Sequence, residues 1–396
     1  MTKNDTNSKN SADFMQGLGA NENALLERIP MIPLRKLAAG MVRGKMRVQF
    51  TGWLQYLLPV IFILILALLS GVSRLFKINF LAQIFSVLGS LLFIAALFDL
   101  VTVKFNLRFS ERLPNRNDAL DLFDLMRARH SCRSFQTRKL TEADHAELMD
   151  SIQRHLAEPR IGEAPIRFEY IAAPLTVWPP VNATEFLVAI APKEYDRLSV
   201  IDVGRSLQKV VMDAIRMGLG TCWIGPGADH ASIMQNLGER FDSEKDHIVC
   251  VCAVGYKSNY IPLFIRIFNS RLSNSRLPQS ELFFADADFN QPLDVDAPPF
   301  NHYGRNYEIC QWAPSSYNGQ TTRCAAVTDE KGAIKSFDFY AATASQYYAP
   351  VALGIWAANW EMGCDALGIQ GHFAVRPTEK EATLPRYDLS WVAEEK

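Results

Sequence analysis

The chain has 396 residues, and its 41 lysine and arginine residues against 42 aspartate and glutamate residues give a formal net charge of −1. A chain so close to neutral lacks the bulk positive charge on which binding to nucleic acid usually rests. Its hydrophobic share of 48% excludes a chain that is disordered throughout, because enough apolar surface is available to offset the entropy lost on folding.

Two runs without a charged residue lie in the first quarter of the chain, at residues 48–73 and 78–98. A helix needs about 20 apolar residues to cross the hydrocarbon core of a bilayer, so each run is long enough. The short link between them carries Arg74 and Lys77. We therefore predict a transmembrane hairpin over residues 48–104, with the lipid bilayer as the partner of residues 48–98. Two buried helices of a soluble core are the alternative interpretation.

Basic residues flank the two runs unevenly, with most of them outside the link. They are Arg35, Lys36, Arg43, Lys45 and Arg47 before the first run, and Lys104, Arg108 and Arg112 after the second. Cations concentrate on the cytoplasmic side of membrane helices. We therefore predict a two-span membrane protein whose two termini, and the part of the chain after the second run, are cytoplasmic. Residues 1–47 are predicted to form a disordered, basic cytoplasmic tail.

Helical and strand patterns alternate after residue 112, which predicts an α+β fold. Thr141 is placed to cap a helix that ends near Leu156. Strand patterns lie at 167–172, 185–191, 248–255, 323–328 and 333–339, and long helices at 202–217 and 344–362. Cys250 and Cys252 lie in an alternating apolar run, so a buried strand explains them better than a metal site. No metal site is predicted.

One order of elements occurs twice in this part of the chain. Pro159 follows a helix and precedes a strand and a long helix, and Pro314 does the same. The repeat predicts two similar halves, residues 112–285 and 286–396, arranged as a fused pseudo-dimer. A chance likeness between two ordinary α+β stretches is the alternative.

Two segments have residues suited to binding a ligand. Arg129, Ser131 and Arg133 follow a predicted helix, and two guanidinium groups with a hydroxyl can bind a phosphate or another anion, to which Arg276 can contribute. A solvated basic helix end is the other explanation. The loop at 313–320 can hydrogen-bond the edge of a planar heterocycle, or it can simply be a helix stop with capping turns.

Taken together, these motifs resemble the FMN-dependent nitroreductase family over residues 115–375. RHSCRSF at 129–135 followed by LTEA at 140–143 is similar to the opening signature of that family, and GLGTCWIG at 218–225 to the segment after its central helix. VGY at 254–256 is similar to its late strand, NSRLP at 274–278 to its tail and APSSYNGQ at 313–320 to its early loop. The resemblance implies a nitroreductase-like fold, and the arrangement is similar to the type described as putative transmembrane nitroreductases.

The order of the motifs departs from that of the family. There the Ala-Pro-Ser loop follows soon after the Arg-Ser-Arg motif, but here that position holds residues 157–162, which lack the serine and the asparagine. The intact loop lies in the second half. Two subunits build each flavin site in the family. The resemblance therefore implies one FMN per chain, at the interface of the two halves, and a degenerate counterpart site.

The resemblance also implies roles for particular residues. Arg129, His130 and Ser131 would hold the FMN phosphate or ribityl chain, Arg133 would face the N1/O2 edge of the flavin, and Ser275 and Arg276 would reach the phosphate. Backbone groups of Ile224 and Gly225 would approach N5, and the other side would be closed by Pro314, Ser315, Ser316 and Asn318. No catalytic acid or base is implied, because the flavin carries the hydride.

The function implied is a membrane-anchored, FMN-dependent oxidoreductase that passes hydride or electrons from NAD(P)H to a small acceptor such as a nitroaromatic or a quinone. Two alternatives remain: a non-catalytic, membrane-bound flavin-binding or interaction protein, and a flavin-consuming or reductive dehalogenating relative. The residues leave open the acceptor, the choice between NADH and NADPH, and the oligomeric state. They also leave open whether the apolar segment 261–268 is a lid or a membrane contact.

Overall fold

In the computed structural model, the described residues are 26, 29, 31–49, 51–225, 227–272, 275–377 and 383–394. Most of the predicted tail, at residues 1–30, lies outside them. The chain forms two compact units. The first contains the described residues up to Leu100 together with Thr176–Pro179, and the second contains Val101–Leu175 and the described residues from Pro180 onward.

The first unit is helical, with α1 at Ile32–Gln49, α2 at Leu54–Leu75 and α3 at Asn79–Asp99. Helices α2 and α3 pack as an antiparallel pair. Ser70 Oγ donates to the Ala82 carbonyl over 3.0 Å and lies 2.8 Å from Ser86 Oγ. The stretches Leu54–Leu75 and Asn79–Lys104, with 22 and 26 residues, are long and apolar enough to cross a membrane. That finding rests on length and composition alone.

The N-terminal limits of these helices differ from the prediction. The first apolar helix begins at Leu54 rather than at residue 48, because Thr51 N–H bonds to the Val48 carbonyl and Gly52 adopts a φ of 68°. This turn separates α2 from α1. Helix α1 also occupies part of the predicted disordered tail. Its leucine, alanine, methionine, lysine and arginine residues are good helix formers, which explains the difference.

The second unit begins with a half built around one antiparallel sheet. Its helices and strands are α4 Leu122–Ala128, α5 Glu142–Ala157, β1 Arg167–Ile171, β2 Glu185–Pro192, α6 Arg197–Arg216, β3 Gly220–Ile224, α7 His230–Leu237 and β4 Asp246–Gly255. The strand order is β1-β2-β4-β3. Helix α5 begins as predicted, with Thr141 Oγ1 accepting from the Asp144 N–H over 3.2 Å.

The rest of the second unit is built around another sheet. Its helices and strands are α8 Leu263–Leu272, β5 Phe283–Phe284, α9 Asn306–Gln311, β6 Thr322–Thr328, β7 Ile334–Ala341, α10 Tyr348–Leu367, β8 Gly371–Ala374 and β9 Arg386–Ala393. Short 3₁₀ turns lie at Gly238–Arg240, Gln279–Glu281, Phe300–Tyr303 and Ser316–Asn318. The strand order is β5-β6-β7-β9-β8, with β5 parallel to β6 and the other pairs antiparallel.

The two sheets repeat one topology. The order β1-β2-β4-β3 corresponds to β6-β7-β9-β8, and in each half a long helix follows the second strand, α6 in one case and α10 in the other. The predicted α+β fold of two similar halves is therefore confirmed. Strand β5 comes before the second half in sequence but joins its sheet, so the chain crosses from one half to the other between β4 and β5.

The two long helices cross at a point where their backbones touch. A Cβ atom on Gly204 of α6 would overlap the carbonyl oxygen of Val351, and one on Gly354 of α10 would overlap that of Ile201. Each helix also packs on the sheet of its own half, so that the two hydrophobic cores meet along this pair. At its start, α10 lies next to the end of β3, where Tyr348 contacts Gly225.

Both long helices are displaced from their predicted limits by a few residues. Helix α6 begins at Arg197 because the Asp196 carboxylate accepts hydrogen bonds from the N–H groups of Leu198 and Ser199. Helix α10 runs to Leu367 because Gly368, with a φ of 69°, supplies its left-handed end.

Candidate functional site

The segment that contains the predicted anion-binding residues lies along the free edge of β3. Helix α4 ends at Ala128, and Arg129 N–H closes its last turn on the Leu125 carbonyl. Ser131 then pairs with Thr221 in a parallel bridge, and Cys132 N–H donates to the Thr221 carbonyl over 2.8 Å. This pairing places the side chains of the segment at one end of the first sheet.

Arg129 is buried, with 6% of its surface exposed. Its Nη1 is buried without a hydrogen-bond partner, and no described carboxylate lies within ion-pair distance of the guanidinium. Burial, followed by the positive charge of Arg276, lowers the pKa of Arg129 to about 10. A buried, incompletely paired cation is unfavourable, so an anion that reached it would be bound strongly.

Arg276 approaches the same place from the chain segment before β5. It donates from Nη1 to the Ala313 carbonyl over 3.1 Å and to Asn318 Oδ1 over 2.8 Å, and its guanidinium carbon lies 5.1 Å from the ring centre of Trp312. Its Nε is buried and has no hydrogen-bond partner among the described residues. Burial, followed by the positive charge of Arg127, lowers the pKa of Arg276 to about 10. Within the described part of the chain, neutral groups alone pair with this guanidinium.

The loop at 313–320 holds Arg276 through an unusual backbone. Tyr317, Asn318 and Gln320 adopt left-handed φ values of 53°, 54° and 46°, which are uncommon for residues other than glycine. Asn318 Nδ2 donates to the Ser275 carbonyl over 2.7 Å, and Gln320 Oε1 accepts from the Leu277 N–H over 2.8 Å. The loop and the segment 275–277 therefore form one hydrogen-bonded unit.

Part of this loop also borders a small cavity of the second half. Pro314 and Ser315 line it together with side chains of α9, β6 and α10, among them Trp356. Ser315 Oγ accepts from the Gln320 N–H over 2.9 Å, which fixes the start of the loop on its end. The hydroxyls of Ser131 and Ser316 make no side-chain hydrogen bond among the residues that the structure describes, so both are available to a ligand.

Arg133 is joined to a helix that the site prediction did not include. Its Nη1 donates to Oδ1 of Asn269, on α8, over 2.5 Å. Asn269 lies 136 residues away in sequence, and no motif near it indicates the contact. Helix α8 is anchored by Ile265, which is 1% exposed. The predicted apolar segment 261–268 enters this helix at Leu263. The side chain of residue 268 lies outside the described ones.

The end of β3 lies against the start of α10. Ile224 is buried, and a Cβ atom on Gly225 would approach the ring of Tyr348 to 2.9 Å. Because the ring of Tyr348 occupies the space that a side chain would need, only glycine fits at position 225 without a shift of its neighbour. Burial and the charge of Arg129 lower the pKa of His130, which shows that His130 lies in the same positive field.

The predicted site residues thus come from four chain segments, of which the contacts above join 129–133, 275–276 and 313–320. Arg129 lies close enough to Arg133 and Arg276 for the like charges to repel one another. Hydrogen bonds join Ser275 and Arg276 to the loop at 313–320. Sequence reasoning missed Asn269 and the aromatic support of Trp312. The guanidinium carbon of Arg127 lies 3.9 Å from the centre of the Trp312 ring. Its position two residues before Arg129 was the available signal.

A contrasting group of charges occupies the counterpart region in the repeat. Arg205 of α6 donates to the Pro159 carbonyl over 2.9 Å, as Arg276 does to Ala313, but it also forms a two-point ion pair with Glu361 of α10 at 2.8 and 2.5 Å. Lys209 bonds Glu158 over 2.5 Å and lies 2.8 Å from Glu361. Here the buried cations are matched by carboxylates.

The family described as "Putative TM nitroreductase" matches residues 121–364. The match lies wholly after the two apolar helices, so it concerns the second unit. No curated protein matches the chain.

Solved structures give further likenesses. A "putative nitroreductase" from Thermotoga maritima is 15% identical in sequence. The match covers 72% of this chain and 99% of that protein, with a TM-score of 0.45. A nitroreductase with bound FMN from Bacteroides fragilis is 12% identical, covering 35% and 90% with a TM-score of 0.29. A nitroreductase in complex with FMN from Desulfovibrio desulfuricans is 16% identical, covering 40% and 93% with a TM-score of 0.28.

Proposed function

Because the chain belongs to the family described as "Putative TM nitroreductase", we propose that it is an FMN-dependent oxidoreductase. It would take hydride from NAD(P)H and pass electrons to a small acceptor such as a nitroaromatic or a quinone. The observation that carries the proposal is the pair of buried guanidinium groups, Arg129 and Arg276, each with a nitrogen that has no hydrogen-bond partner in the described part of the chain. A phosphate-bearing cofactor supplies the anion that such a pair lacks.

The charge of the site residues fits the phosphate of a flavin mononucleotide. Arg129, Ser131 and Arg276 would hold the phosphate, with His130 and Ser275 beside them. Arg133 would stabilise negative charge at the N1/O2 edge. The backbone of Ile224 and Gly225 would approach N5. FMN, when bound, supplies the hydride chemistry, and the protein orients it and adjusts its electronics.

The other side of the flavin would be closed by the second half, through Pro314, Ser315, Ser316 and Asn318. This role is supported by the hydrogen bonds from Arg276 to Ala313 and Asn318, which tie the loop to the cation pair. We further propose that Asn269 makes helix α8 a cover over Arg133, which favours a lid over a membrane contact for the segment 261–268.

The chain would bind one FMN, at the interface of its two halves. Support comes from the counterpart region, where Arg205 and Lys209 are already paired with Glu361 and Glu158. An incoming phosphate there would meet carboxylates instead of unpaired cations, and like charges in a buried place repel strongly. The repeat therefore offers one region suited to an anionic cofactor and one that is not.

The membrane part of the proposal places the chain in a bilayer through two spans, with both termini and the flavin site on the cytoplasmic side. The two apolar helices support the spans, and the basic residues outside their link support the orientation. A membrane anchor would favour an acceptor that dissolves in lipid.

The test is to purify the full chain in detergent and to measure flavin absorbance per chain, then its bleaching by NADH and by NADPH without oxygen. We expect one FMN per chain and bleaching by at least one of the two nucleotides. A chain that neither retains nor binds added FMN would refute the proposal. A yellow chain that neither nucleotide reduces would instead favour the non-catalytic flavin-binding protein.

A further inference from the structure

A row of large apolar side chains stands exposed directly after the second apolar helix. Phe105, Leu107 and Phe109 are 55%, 68% and 88% exposed. They alternate with Asn106 and Arg108, whose side chains turn to the protein, and Asn106 Nδ2 donates to Thr137 Oγ1 over 3.1 Å. One side of this short segment is thus polar and bound, while the other is apolar and uncovered.

The segment is held rigidly, so its exposure is a property of the fold. The side chain of Arg108 is 5% exposed and lies 3.5 Å from the Glu111 carboxylate. It donates to Ser258 Oγ over 2.8 Å and to the Phe135 carbonyl over 3.2 Å, and it lies 5.2 Å from the ring centre of Tyr260. A buried arginine with four partners fixes the direction of its neighbours on the chain.

Large exposed apolar patches mark sites of contact with proteins, ligands or membranes. Three features favour the bilayer. The row begins one residue after Lys104, where the second candidate span ends. Lys104 and the exposed Arg112 place cations on both sides of it, and no acidic residue lies between positions 100 and 110. Apolar side chains flanked by cations match the boundary between acyl chains and anionic headgroups.

We propose that Phe105, Leu107 and Phe109 form a contact surface of the second unit that inserts into the headgroup region of an anionic bilayer. The inference rests on the membrane location in the proposed function. The surface is also connected to the site, because Arg108 binds Ser258 and Tyr260, which lead into α8, and Asn269 of α8 bonds Arg133. A lipid-dissolved acceptor would therefore meet the site cover from the membrane side.

The experiment uses the full chain in vesicles of mixed phosphatidylcholine and phosphatidylglycerol, with a nitroxide spin label on a cysteine at one position. Leu107→Cys and Phe109→Cys test the row, and Ser110→Cys is the control, since Ser110 is exposed and adjacent but lies outside the row. Labelling of the unmutated chain measures the background, because six of the seven native cysteines are buried. Oxygen concentrates in the bilayer, whereas a nickel chelate stays in water.

We expect oxygen to relax the labels at positions 107 and 109 several-fold more strongly than the chelate does, and the reverse at position 110. Equal access of the chelate to all three positions would overturn the inference. So would exclusion of both relaxants from the row, since a second copy or another protein segment would then cover it.

Flotation of the same vesicles separates this inference from the proposed function. A chain that floats with the vesicles but has a water-exposed row overturns the contact surface alone. A chain that does not float overturns the membrane location, and the contact surface with it. Flavin content, measured on the same samples, bears on neither result.

Discussion

The second unit contains two counterpart regions that differ in how their buried cations are paired. In the region of Arg129 and Arg276, carbonyl and amide oxygens pair with Arg276, and among the described residues each guanidinium group keeps one buried nitrogen without a hydrogen-bond partner. In the region of Arg205 and Lys209, carboxylates complete the pairing. The same topology thus holds one region whose buried cations have no carboxylate partner among the described residues and one that is balanced by the chain itself.

Because their buried cations are paired differently, the two regions are expected to contribute differently to the free energy of unfolding. A matched buried ion pair becomes strongly destabilising when one partner is removed, because the other is left uncompensated. An unmatched buried cation is destabilising as long as it has no anion, and removing it relieves that cost. The two regions should therefore respond to substitution with opposite signs, and the following predictions test this contrast.

The largest effect is expected from Glu361→Ala in the self-balanced region. This change leaves Arg205 without its two-point partner, and we expect the free energy of unfolding to fall by about 3–5 kcal/mol, with the FMN content per folded chain unchanged. Urea unfolding measures the first and absorbance the second. Arg240→Ala is the control, because its ion pair with Glu169 is partly exposed and contributes about 1 kcal/mol or less. Equal losses in both variants would contradict the contrast.

Arg129→Met should have the next largest effect, this time on ligand binding. We expect the affinity for FMN to fall about 100-fold, or about 3 kcal/mol, because the phosphate loses a buried, incompletely paired cation. The thermal stability of the FMN-free chain should stay the same or rise. Fluorescence titration with FMN checks the affinity. Arg129→Lys, which keeps a positive charge, should lose less. A stability loss like that of Glu361→Ala would show that Arg129 is structural.

Asn318→Ala should weaken the site more moderately. Without its amide oxygen the side chain no longer orients Arg276, and we expect about a tenfold loss of FMN affinity, or about 1.4 kcal/mol. Asn182→Ala is the matched control, since Asn182 has a similar left-handed φ, 59° against 54°, and its amide bonds the backbone carbonyl of Val103 instead of that of Ser275. If both variants bind FMN equally, backbone strain and not Arg276 is responsible.

The smallest effect is expected in the pH dependence of the self-balanced region. His155 bonds Asp213 at 2.9 Å and Glu158 at 2.6 Å. Burial would lower its pKa, but these two carboxylates raise it overall. Its contribution to stability is therefore complete below the unfolded pKa of about 6.5 and is lost as the pH rises through the higher folded value.

The carboxylate partner behaves in the opposite direction. Burial would raise the pKa of Glu158, but hydrogen bonds from His155 and Lys209 lower it to about 2, so its contribution disappears only as the pH falls from about 4.3 towards that value. Melting temperatures of the unmutated chain and His155→Gln should thus differ most near pH 5 to 6 and converge above neutrality. A constant difference across that range would contradict the raised pKa.

The parts of the fold that could be predicted are those specified by local pattern. Thr141 caps its helix because an oxygen at that position satisfies the Asp144 N–H, and the apolar alternation around Cys250 and Cys252 makes a strand in any context. Strands β8 and β9 escaped prediction. Gly371–Ala374 is short and contains no β-branched residue, and its pairing with Arg386–Ala393 crosses a long connection.

The site shows the same division. Arg129, Ser131 and Arg133 are neighbours in sequence, so their chemistry can be read directly, and their likeness to a family supplied the loop at 313–320. The contact between Arg133 and Asn269 and the ionic group of Glu158, Lys209 and Glu361 depend on packing between distant elements. These contacts follow from tertiary structure, and no periodic pattern in the sequence predicts them.

The crossing of Gly204 and Gly354 has a consequence for how such a chain can vary. In an assembly of two identical subunits, one codon would specify both crossing positions, and each change at the contact would occur twice. In this chain the two glycines are separate positions, and both are needed because each faces the backbone of the other helix. Tandem fusion thus lets the halves differ in sequence elsewhere, while their shared axis still demands the smallest residue from each.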